Sequence, residues 1–105
     1  MPSALVSILY PSGPDTNFDL DYYTTKHMGL VAEKWSKCGL QQYWVADLRP
    51  SNGPYIIQTV MLWESLESFQ KAAATEDSAV VFADVSNFTN SKPVLLSGGV
   101  VSSNL

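Results

Sequence analysis

The chain has 105 residues, 46% of them hydrophobic and 15% charged, which supplies apolar material for one core and too little length for two domains, so residues 1–105 read as a single domain. A net charge of −4 with no run of Lys or Arg argues against nucleic acid or an anionic membrane as a partner. No apolar run reaches the ~18 residues that cross a bilayer, Met1-Pro2-Ser3-Ala4 has no basic stretch leading into an apolar one, and Cys38 is the single cysteine, so the cytoplasm is the expected compartment.

Ser3 to Tyr10 is a mostly apolar run of strand length, stopped by Pro11-Ser12-Gly13-Pro14. Asp19 is a good N-cap, and Asp21 adds a carboxylate to the first turn. From Leu20 to about Lys37, the positions Leu20, Tyr23, His27, Leu30, Val31 and Trp35 recur at helical spacing on one face. Gly39 follows where a left-handed C-cap is wanted.

Leu40 to Leu48 and Tyr55 to Trp63 are rich in aromatic and β-branched residues and read as strands. The turn-forming Arg49-Pro50-Ser51-Asn52-Gly53-Pro54 joins them as an antiparallel hairpin. Ser65 caps a helix carrying Leu66, Phe69, Ala72 and Ala73, and Thr75-Glu76-Asp77 interrupts it. Ser78 to Val85 is a second short helical piece with Val81 and Phe82 inward. Ser86 to Lys92 is loop around Phe88. Pro93 to Val101 is the last strand, with Gly98-Gly99 marking a bulge or bend.

The order β-α-β-β-α-β is that of an α+β, ferredoxin-like split βαβ unit, with a four-stranded antiparallel sheet and its helices on one face. Both faces of its strands are apolar. Tyr43 and Val45 point one way, Trp44 and Ala46 the other; Ile57 and Met61 oppose Val60 and Leu62. A sheet with one wet face alternates apolar with polar residues. The second face therefore needs a cover, and the same face of a second copy, in a homodimer, is the simplest one. A charged fraction well under the typical quarter points the same way.

His27 is the only histidine. It lies on the apolar face of the first helix, and burial there favours a neutral imidazole able to take up and return a proton. The competing reading is a core histidine bonded to a backbone carbonyl. Tyr23, one turn before it, either bonds a substrate oxygen or fills core. Trp44, Trp63, Phe82 and Phe88 supply apolar wall for core, dimer contact or ligand. Asn87 either lends a hydrogen bond to a pocket mouth or shapes the turn. There is no phosphate-binding glycine motif, no metal-ligand spacing and no serine-nucleophile elbow. Cys38 lies about three helical turns beyond His27, too far for a dyad within the helix.

The stretch Phe18-Asp19-Leu20-Asp21-Tyr22-Tyr23-Thr24-Thr25-Lys26-His27-Met28-Gly29-Leu30-Val31 resembles the signature of the EthD family: an aromatic-Asp opening, a Tyr-Tyr pair, a His-Met, then a Leu-Val. Leu9-Tyr10-Pro11 with Gly13-Pro14, Ser65-Leu66-Glu67-Ser68-Phe69, and Asn87-Phe88-Thr89 with Pro93-Val94 are similar to further family segments. The resemblance runs from about Val6 to Leu96. Gly29 departs from it, since members usually carry Pro there.

The resemblance implies a dimeric α+β barrel, no common cofactor, and His27, Tyr23 and Asn87 at motif positions. It implies activities such as ether degradation or polyketide decarboxylation and dehydration, and related barrels include cofactor-free monooxygenases. Two functions stay open. One is proton transfer by His27 on an apolar or aromatic, polyketide-like molecule, without metal or other cofactor. The other is a non-catalytic dimeric module that binds an apolar small molecule.

Overall fold

The computed structural model describes residues 3–104; Met1 and Pro2, half of the N-terminal stretch read above, lie outside them. Strand β1 spans Ala4–Pro11. One continuous helix follows, made of α1 (Leu20–Tyr22), a π-helical segment (Tyr23–His27) and α2 (Met28–Trp35), with a 3-10 turn at Ser36–Cys38. Then come β2 (Leu40–Asp47), β3 (Tyr55–Trp63), α3 (Leu66–Ala73), α4 (Glu76–Ala83), a 3-10 turn (Asp84–Asn87) and β4 (Val94–Gly99). The strands form one antiparallel sheet in the order β2-β3-β1-β4, with the helices on one face, as the element order requires. Among the described residues no helix is long and apolar enough to cross a membrane.

The helix ends follow their local chemistry. The Asp19 carboxylate accepts the Tyr22 N–H at 3.0 Å, and the Ser65 hydroxyl accepts the Ser68 N–H at 3.0 Å. Gly39 has φ 121°, and a Cβ there would lie 3.0 Å from the Ser68 Cβ, so glycine is needed on both counts.

The helix-side face of the sheet carries Ala4, Val6, Ile8 and Tyr10 from β1 and Ile57, Thr59, Met61 and Trp63 from β3, all buried. Tyr23, Met28, Val31 and Trp35 close this core from the helix side. The opposite face has no cover among the described residues. It presents Leu5 (43% exposed), Trp44 (48%), Val94 and Leu96 (53%), beside Val60 and Leu62.

Three local expectations are corrected. Gly98 and Gly99 make no bulge; they pair in register with Leu5 and Ala4, and the ladder irregularities fall at Tyr10/Pro11 and Leu40/Gln42. Thr75-Glu76-Asp77 starts a helix rather than only breaking one: the Thr75 hydroxyl caps α4 and both carboxylates sit in its first turn, where the helix dipole favours them. Phe82 does not join Val81 in the core but is 44% exposed, because neighbours on a helix point about 100° apart; its ring lies 6.0 Å from that of Trp35.

Candidate functional site

The π-helical segment places His27. Its signature is the Met28 N–H donating to the Tyr23 carbonyl, five residues back. Thr24 and Thr25 stand inside it, and their hydroxyls donate to the carbonyls of Leu20 (3.0 Å) and Asp21 (2.5 Å); such back-bonding competes with the regular ladder. Tyr23, His27, Val31 and Trp35 are each four residues apart and all buried. On a straight α-helix each four-residue step drifts about 40° around the axis. A wider turn at Tyr23–His27 absorbs part of that drift and keeps the stripe facing the sheet.

His27 is 3% exposed. Its ring stacks on Tyr23 (centroids 5.2 Å apart, planes 17° apart) and touches Phe88 (4.6 Å). Its Nδ1 lies 2.9 Å from Oδ2 of Asp84, the residue that follows α4. A carboxylate carries no proton, so Nδ1–H donates and Nε2 holds the lone pair. Asp84 is held from two more sides, since Oδ1 accepts from the Tyr22 hydroxyl at 2.7 Å and from the Asn87 amide at 2.8 Å. Burial raises the carboxyl's pKa, but hydrogen bonds from Asn87, Tyr22 and His27 outweigh it and bring the value below the usual range. For His27 burial dominates: it pushes the imidazole pKa down, and Asp84 offsets this only in part. The pair is therefore a neutral imidazole on a carboxylate at neutral pH.

His27 forms part of the wall of a cavity of about 740 Å³ between the helices and the β1–β4 side of the sheet. Ile8, Val31, Trp35, Val81 and Leu95 give it an apolar lining, Phe82 and Ala83 close it from α4, and Thr89 to Pro93 form a rim. Tyr10 lines it as well, buried, with its phenol pKa raised first by burial.

The residues singled out in the sequence separate in space. His27 and Phe82 line the cavity. Tyr23 and Phe88 lie behind and beside the imidazole, and the Tyr23 hydroxyl pairs with Thr59 at 2.5 Å. Asn87 is engaged with Asp84. Trp63 is fully buried against Trp35 and Phe69, away from the lining. Trp44 sits on the opposite face of the sheet: it pairs with Val60, while the neighbouring pair Tyr43–Met61 faces the helices. Alternation along the strand thus removes Trp44 from the pocket. Sequence reasoning missed Asp84 and Tyr10. The only trace of Asp84 was an acidic residue ending an otherwise apolar helical piece, three before Asn87. Among the described residues no group of three His, Cys, Asp or Glu side chains is placed to hold a metal ion.

No family model and no curated protein matches the chain. Solved structures do. An EthD-like protein from Ralstonia eutropha is 25% identical, covers 99% of this chain and 96% of its own, and gives a TM-score of 0.83. An EthD family protein from Bacillus halodurans is 21% identical, with coverage of 93% and 97% and a TM-score of 0.68. A dimeric ferredoxin-like protein of unknown function from Jannaschia is 11% identical, with coverage of 93% and 99% and a TM-score of 0.65. The chain has the EthD-like, ferredoxin-like α+β fold that its signature stretch anticipates.

Proposed function

We propose that this EthD-like chain acts on a small apolar or aromatic molecule by cofactor-independent proton transfer, with His27 as general base and acid. The observation that carries this reading is the imidazole itself: it borders an apolar cavity with Nδ1 held by Asp84, which leaves Nε2 as the ring atom free to react. Nε2 takes a proton from a carbon next to a carbonyl, and the C–H electron pair moves into the enolate. The imidazolium that forms is stabilised by the Asp84 carboxylate. The proton then returns to a different carbon, which isomerises the substrate, or leaves with a hydroxide as water, which dehydrates it. Run from the protonated imidazole, the same pair protonates the carbon released by decarboxylation. Tyr23 and Asn87 do not donate to substrate here; their polar atoms hold Thr59 and Asp84, and their role is to position the pair. A module that merely stored an apolar ligand would not need a carboxylate fixing the tautomer of a buried histidine.

The test is deuterium incorporation from heavy water into a panel of aryl ketones and β-hydroxy ketones, followed by mass spectrometry. His27→Gln and His27→Ala are expected to lose on the order of 10²-fold or more of the rate. An identified substrate turned over at full rate by His27→Ala would remove the mechanism.

The assembly proposed for this chemistry is a homodimer, with the open sheet faces of two copies packed together. The exposed Leu5, Trp44 and Leu96 support it, as does the dimeric state of the Jannaschia protein of the same fold.

A further inference from the structure

We infer that the cavity takes a molecule with an apolar body and one compact anionic group, a carboxylate or its like, held at the rim by Lys92. The inference rests on the reading of the cavity as the substrate site and adds the substrate's charge.

The polar atoms of the lining are nearly all engaged within the protein. The Ser86 hydroxyl donates to the Ala83 carbonyl at 3.4 Å and that of Thr89 to the Asn17 carbonyl at 2.6 Å. The Asn90 side chain donates to the Asp15 carbonyl at 2.8 Å and accepts the Asn17 N–H at 3.0 Å. The Ser91 hydroxyl donates to the Pro11 carbonyl at 3.2 Å. The bonds of Thr89, Asn90 and Ser91 tie the rim to the end of β1 and the loop after it, and Lys92 is the rim's one charged side chain.

The chain has six Lys and Arg residues in all, and five of them have partners. Lys26 stands over the Tyr22 ring at 5.7 Å, Lys34 and Lys37 face Asp77 at 3.8 and 3.4 Å, Arg49 pairs with Asp47 at 2.9 Å, and Lys71 with Glu67 at 3.0 Å. Among the described residues Lys92 alone has none, and Lys92 borders the cavity. In a protein of net charge −4, the one uncommitted cationic side chain among the described residues is on the rim of the apolar pocket. An anion beside His27 would meet the Asp84 carboxylate, so the charge belongs at the lysine and the reacting carbon at the imidazole. Lys92 then orients the molecule as well as attracting it.

Two dyes with one aromatic frame test this: 8-anilinonaphthalene-1-sulfonate, an anion, and N-phenyl-1-naphthylamine, which is neutral. Fluorescence titration at low salt is expected to show the sulfonate dye binding about fivefold tighter, as for an ion pair with an exposed lysine at the rim. The preference disappears in Lys92→Gln and shrinks in high salt, while the affinity of the neutral dye is unchanged. Ala83→Trp, which fills the cavity, weakens both dyes. Equal affinities in the wild type, a preference retained by Lys92→Gln, or dye binding indifferent to Ala83→Trp would each overturn the inference. Turnover of His27→Gln reads the proton transfer and the dye pair reads the charge, so a failed proton-transfer reading shows in turnover and a failed charge reading shows in the dyes.

Discussion

At the scale of single residues, the centre depends on one proton's position. Asp84 fixes it by accepting from Nδ1 of His27. In Asp84→Asn an amide can instead donate to Nδ1, which moves the ring proton to Nε2 and removes the base. Turnover is expected to fall on the order of 10²-fold or more while the neutral dye still binds; stopped-flow rates and titration together check this. The pH profile follows from His27. Its pKa is depressed by burial, so the basic form predominates from neutral pH down to below the usual histidine value of about 6.5. The acidic limb of kcat/KM is expected below that value, and Asp84→Asn is expected to shift it. Stability follows the same sign. The unfolded chain takes up a proton below about pH 6.5, whereas folded His27 resists it, so stability is present above that pH and is lost as pH falls toward the folded pKa. Urea midpoints at pH 7 and pH 5.5 are expected to drop in the wild type, and by less in His27→Gln.

At the scale of elements, one serine ties three helices together. The Ser78 hydroxyl accepts from the Trp35 indole at 2.8 Å and donates to the Ala72 carbonyl at 2.5 Å, all of it buried. Ser78→Ala strands the indole N–H, while the carbonyl keeps the Thr75 hydroxyl and N–H; the loss costs about 2 kcal/mol, read as a lowered urea midpoint with an unchanged slope. Gly29 is the converse case. It lies in α2 next to the π-helical segment, and a Cβ there would meet nothing within 4 Å. Gly29→Ala is expected to stabilise the fold by about 0.5–1 kcal/mol through helix propensity alone, seen as a higher Tm. The helices themselves were legible at Asp19, Ser65 and Gly39, because caps act on backbone groups within a few residues. The π-helical turn was not, since spacing alone does not distinguish a helix that drifts from one that widens.

At the scale of the whole molecule, the sheet has one face under helices and one face of exposed apolar side chains. A patch holding Leu5, Trp44, Val94 and Leu96 exceeds the isolated apolar residues a monomer tolerates. Trp44→Glu places a charge in its middle. Sedimentation velocity at micromolar concentration is expected to show a dimer for the wild type and a monomer for Trp44→Glu; a wild-type monomer would dismiss the assembly.

What the sequence determined by itself is whatever repeats at short range: strands and helices in β-α-β-β-α-β order, the faces on which Trp44 and Tyr43 part, and the buried stripe through Tyr23 and His27. These depend on periods of two and about 3.6 residues and need no partner distant in the chain. Only the tertiary structure decided the site. Asp84 reaches His27 across 57 residues, Tyr10 lines the cavity while Trp63 and Trp44 do not, and Lys92 meets the rim after β4 has been laid against β1. Such meetings are set by how the helices seat on the sheet, and no local pattern records which side chains that seating brings together.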